Sequence, residues 1–166
     1  MKLVTALMMR EISKEDFLVA NNITQIEKVV DGGLTKAYTN EDAHDLEIYI
    51  FLIFVYDLYD RRYVDLLNKL LLLDWHFQHE NISILLQKIS NTESLPYLYK
   101  AICTPPKYVL LDENCAFQKK CVRALYHIGK EKSINYLKEL CKNKNSIISD
   151  IAQRQLKKYG DEIWDI

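Results

Sequence analysis

Apolar positions in the second half of the chain fall at helical spacing, and the whole pattern then recurs as a block. Leu85 to Ile102 (LLQKISNTESLPYLYKAI), moved forward by thirty-nine positions, lands on Ala124 to Cys141 (ALYHIGKEKSINYLKELC). Leu86 meets Leu125, Ile89 meets Ile128, Ser94 meets Ser133, Leu95 meets Ile134, Tyr97 meets Tyr136 and Leu98 meets Leu137. A shift of thirty-one extends the repeat both ways, carrying Val55, Leu58, Val64, Leu67 and Leu71 onto Leu86, Ile89, Leu95, Leu98 and Ile102. The same shift carries Arg123, Leu125 and Gly129 onto Arg154, Leu156 and Gly160. A unit of roughly 20–50 residues with two helical stretches marks a helical-hairpin array, because one hairpin cannot bury its apolar face without a neighbour.

The pattern therefore predicts an all-α fold in a single domain, 1–166. Its parts are an irregular helical N-terminal cap over 1–40, about three helical hairpins with a C-terminal helix over 41–160, and a short tail, 161–166. The helix pair 41–73 is the first hairpin, and Ser146 to Tyr159 is the last helix. In the cap, Ser13 followed three residues later by Asp16 predicts a helix N-terminus, and Asp31-Gly32-Gly33 predicts a stop. From about Asn40 to Tyr59 the chain is apolar on most faces, as suits a helix sandwiched between neighbours. Only four glycines and three prolines interrupt the chain. The longest joint, Cys103 to Glu113, contains Pro105-Pro106, which opposes helix.

Ile48 to Tyr56 is the longest apolar run, about half of the ~20 residues that cross a bilayer, so a buried helix accounts for it. Leu3 to Met9 is apolar but is followed by Arg10-Glu11 with no small-residue cleavage site, which predicts neither a signal peptide nor a membrane anchor. The four cysteines, Cys103, Cys115, Cys121 and Cys141, match no metal or redox spacing. They read as small core hydrophobes in a reducing compartment, hence a cytoplasmic protein.

Charge changes this picture locally. The net charge of -1 excludes a globally basic nucleic-acid binder, but residues 41–80 hold nine acidic against three basic side chains, and residues 81–166 hold nine against fourteen. An acidic middle and a basic C-terminal half follow. Asp57, Asp60, Asp65, Asp74 and Glu80 make the acidic side. Lys119, Lys120, Arg123, Lys130, Lys132, Lys138, Lys142 and Lys144 make the basic side, interrupted by Glu131 and Glu139.

Candidate chemistry is sparse. His76 and His79 lie three apart, a spacing that shares one helical face, yet no third zinc ligand is near in sequence. The simpler reading has Trp75 and Phe77 plugging the gap between two repeats while the histidines and Glu80 satisfy helix ends. No phosphate-binding glycine loop, nucleophile elbow or local Cys-His signature is present, so neither enzyme activity nor a cofactor is expected. On the second helices, Val64, Leu67 and Leu71 define an inward face, leaving Asp65, Leu66 and Lys69 outward. The same wheel turns Pro96, Tyr97 and Lys100 outward in the next unit, and Asn135, Tyr136 and Glu139 in the third.

The segments CVRALYHIGKEKSINYLKEL and IISDIAQRQLKKYG resemble the HEAT-like repeats of the phycobilisome-lyase type over about residues 41–160. That resemblance implies a right-handed α-solenoid whose second helices line a concave surface, with Leu66, Tyr97 and Tyr136 as a ladder across it. LLNKLLLLDWHFQHENISILLQKI, followed by LPYLYKAI and FQKKCVRALYHIG, resembles small bacterial HEAT-repeat immunity proteins of polymorphic toxin and contact-dependent growth inhibition systems. His79-Glu80 is also similar to the iron-binding pairs of HEAT-repeat deoxyhypusine hydroxylases. Here the pair occurs once, and the equivalent joint reads Asp112-Glu113-Asn114, which rejects that enzyme. A HEAT-like DNA glycosylase would want a basic groove along the whole array, which the acidic segment opposes.

The implied role is non-catalytic binding of a cognate toxin domain, a nuclease being one candidate, by a monomer with no membrane contact and with nucleic acid an unlikely partner. The expected contact residues are Asp57, Asp60, Asp65, Leu66, Asp74, Trp75, His76, Glu80, Tyr97, Lys100 and Tyr136. A nucleic-acid-associated adaptor using the basic half is the rival, and an enzyme or lyase accessory protein a third reading.

Overall fold

The computed structural model describes residues 2–164, and side chains through Gly160. All regular structure among them is helical. The chain divides into two compact units, Met1–Tyr59 and Asp60–Ile166. The boundary falls inside the predicted first hairpin, 41–73, and assigns its two helices to different units.

The first unit holds α1 (Val4–Met8), α2 (Lys14–Ala20), α3 (Ile26–Asn40) and α4 (Ala43–Val55). Ser13 caps α2 as the sequence predicts: its Oγ accepts from the Asp16 N–H at 3.0 Å, and the Asp16 carboxylate accepts from the Ser13 N–H. This reciprocal box satisfies two of the donors a helix start leaves open. The stop predicted at Asp31-Gly32-Gly33 does not occur, because α3 runs through all three residues. A Cβ on Gly33 would run into the ring of Tyr49 on α4, so this glycine serves close helix approach rather than a turn. The predicted sandwiched helix is α4, which buries Leu46, Ile48, Ile50, Leu52 and Ile53 and packs on α3.

The second unit holds α5 (Val64–Leu70), α6 (His79–Ile89), α7 (Leu95–Cys103), α8 (Ala116–Gly129), α9 (Ile134–Leu140) and α10 (Ser146–Trp164). Helix α8 packs against α6, α7, α9 and α10. The two best sequence copies take one local form: a helix, a short 3-10 turn (Thr92–Ser94 or Lys130–Ser133), then a second helix. Ser94 and Ser133 are both fully buried at that turn, and Leu98 and Leu137 lie in the core one turn on. Arg61–Tyr63 forms a third such turn before α5.

Three further differences from the sequence expectation concern ends and joints. After Pro105-Pro106 the chain takes a 3-10 segment, Lys107–Leu111, rather than open loop. The last helix continues through Trp164, so most of the expected tail 161–166 is helical, while Asp165 and Ile166 lie outside the described residues. Cys115 and Cys121 are buried and burial pushes the Cys121 thiol up, but Cys103 is exposed and is no core residue.

Candidate protein-binding face

The joint after α5 is built around two neutral histidines. Helix α5 ends at Leu70, and the imidazoles bond to carbonyls at its end and just beyond it. His76 Nε2 donates to the Leu70 carbonyl at 3.0 Å and its Nδ1 accepts from the Gln78 N–H at 3.1 Å, which fixes the neutral tautomer. His79 Nε2 donates to the Leu73 carbonyl at 2.7 Å, and its Nδ1 lies 2.9 Å from the Tyr108 hydroxyl. The rings stack with centroids 4.2 Å apart. Burial, aided by the neighbouring His79, lowers the His76 pKa to about 4, and burial lowers that of His79 as well. Among the described residues no group of three or more His, Cys, Asp or Glu is placed to hold a metal ion.

His76 is 0% exposed, so its expected place among the contact residues is corrected: its edges are spent on the α5 end. Trp75 is half-buried, its ring meeting His76 edge-on at 4.8 Å. Phe77 does not plug the joint. It is 71% exposed and lies edge-on against Tyr108 at 5.0 Å.

The acidic residues are less available than their number suggests. Asp60 pairs with Arg62 at 3.1 Å, and that guanidinium holds its carboxyl below the usual range. Asp65 pairs with Lys69 at 2.7 Å, one helical turn on, and Glu80 pairs with Lys120 of α8. These partners come from both inside and outside the segment 41–80, which is why a count along the sequence overstates the free negative charge. Asp74 is exposed and has no ion pair among the described residues. Asp57 is exposed too and belongs to the first unit.

Helices α7 and α9 carry the tyrosines, and here the pairing differs from the predicted ladder. Tyr136 of α9 meets Tyr99, not Tyr97, with ring centroids 5.0 Å apart and planes inclined at 38°. The Tyr99 hydroxyl donates to the Glu139 carboxylate at 2.7 Å, an interaction that raises its pKa. Tyr97, Tyr99 and Tyr136 are each half-buried, Leu66 is half-buried, and Lys100 and Glu139 are exposed. Half-buried rings joined to a charged rim can dock against a second protein with little further loss of side-chain freedom. Tyr99 stands as far from the inward Leu98 on the helical wheel as Tyr97 does, on the opposite edge, so spacing alone does not choose between them.

No protein family, curated protein or solved structure matches this chain. No helix among the described residues is long and apolar enough to cross a membrane.

Proposed function

We propose that this chain is a non-catalytic protein-binding module, a HEAT-like solenoid of about three hairpins with a C-terminal helix. In this reading it acts as a cytoplasmic immunity protein that binds and neutralises a cognate toxin domain. The observation that carries the reading is the Tyr99–Tyr136 pair, held at 5.0 Å across two successive second helices and tied to Glu139. Tyrosines of this kind concentrate binding energy at protein interfaces, since they offer large area with few rotatable bonds. Asp74 and Lys100 stand exposed as candidate rim charges. Rim charges steer encounter more than they hold a complex together.

The test is protection in cells. The protein encoded beside this one is expressed alone and with this chain, as wild type and as Tyr99→Ala/Tyr136→Ala. The neighbour is expected to arrest growth, the wild type to restore it, and the double variant to restore it poorly while accumulating to the same level. A harmless neighbour, or full protection by the variant, would overturn the proposal.

A further inference from the structure

Helices α8 and α10 pack side by side, and their seam is basic. A groove of about 330 Å³ is lined by Lys119 and Arg123 of α8 and by Ile147, Asp150, Ile151 and Arg154 of α10. It continues past Arg154 to Lys157. Arg123, Arg154 and Lys157 are exposed, and with Lys119 they form no ion pair among the described residues. Asp60, Asp65 and Glu80 are each held by a basic partner; here, among the described residues, four cations line the groove with one carboxylate, Asp150, and Asp112 acts on Lys119 from outside it.

The repeat explains the arrangement. Arg123 and Arg154 occupy equivalent positions of successive first helices, thirty-one residues apart, so stacking the helices sets the two guanidinium groups on one groove. Along α8 the basic side chains Lys119, Arg123 and His127 recur every fourth residue, a rise of about 6 Å each. Beyond them a second depression is lined by Tyr126, His127, Lys130 and the half-buried Tyr159. Cations strung along an open groove between two helices suit an extended polyanion more than one compact anion.

We propose that the α8–α10 seam binds single-stranded nucleic acid through its phosphate backbone. Lys119, Arg123, Arg154 and Lys157 neutralise successive phosphates. This departs from the expectation that overall charge sets against nucleic acid, because the phosphates would meet a local field and not the net charge. The proposal does not rest on toxin binding, since the two faces share no residue and can fail separately.

The experiment is fluorescence anisotropy of a labelled 20-nucleotide single strand against the full chain, from about 50 to 200 mM salt. Four phosphate contacts predict a log–log salt slope of about −2.8 and so about a 50-fold weakening over that range. Arg123→Glu/Arg154→Glu, at two exposed positions, should bind at least about tenfold more weakly with a slope near −1.4, as two contacts are lost. Lys100→Glu on α7 should match wild type. Melting of each variant checks that the fold persists. The proposal is overturned by no binding at 50 mM, by an unchanged slope in the double variant, or by displacement of the strand by polyglutamate as readily as by unlabelled strand.

Discussion

His76 and His79 show how a pair with metal-like spacing becomes structural. Their Nε2 atoms are committed to the Leu70 and Leu73 carbonyls, and His76 cannot take a proton and keep the Gln78 N–H, since its Nδ1 must accept that bond. The consequence is a pH dependence of known sign. A base whose folded pKa is depressed binds fewer protons in the folded state, so its stabilising effect is intact above the unfolded pKa of about 6.5 and lost as pH falls below it. For His76 the loss runs from about 6.5 down to about 4. Urea midpoints at pH 7 and pH 5 should differ, with a slope of up to ~1.4 kcal/mol per pH unit from each histidine. His76→Gln should flatten that slope. Equal midpoints at the two pH values would mean that these imidazoles are not buried as described. The i,i+3 spacing was legible in the sequence, whereas the carbonyls it serves, six residues back, were not.

Helix content and the repeat were readable from apolar spacing, because burial of Leu95, Leu98, Leu125 and Leu137 follows directly from it. Which flanks touch was not readable. At 100° per residue, Tyr97 and Tyr99 stand about 160° apart on α7, on opposite edges of its buried stripe. Neighbouring helices present opposite edges to each other, so Tyr136, equivalent to Tyr97, meets Tyr99 of the preceding unit. Equivalence in a repeat thus predicts parallel placement, not contact. The glycines of α3 mislead in a similar way, since Gly32-Gly33 reads as a stop, yet α3 runs through both and Gly33 is a site of helix contact. An opposed pair of effects tests this. A Cβ at Gly32 meets nothing within 4 Å, so Gly32→Ala should stabilise by up to ~1 kcal/mol through the gain in helix propensity. Gly33→Ala should destabilise by ~1–3 kcal/mol, because the Tyr49 ring must move. Chemical denaturation of the two variants decides it; a gain in both would place α3 and α4 farther apart.

Across the chain, charge was legible as a sum and not as a surface. The acidic stretch 41–80 straddles the unit boundary at Tyr59, and within the second unit Asp60, Asp65 and Glu80 are already paired. What remains for a protein partner is an aromatic centre with few free charges, and that shifts the expected binding energy from steering to anchoring. The most direct measurement is the dissociation rate of the purified complex with the partner proposed above, the protein encoded beside this one, for wild type, Tyr99→Ala/Tyr136→Ala and Asp74→Lys. The double truncation should raise the dissociation rate by about 30-fold or more, corresponding to at least ~2 kcal/mol of lost anchoring. Asp74→Lys should change mainly the association rate and its salt dependence. Dissociation of the double variant within about twofold of wild type, with the fold intact, would contradict a binding face centred on Tyr99 and Tyr136.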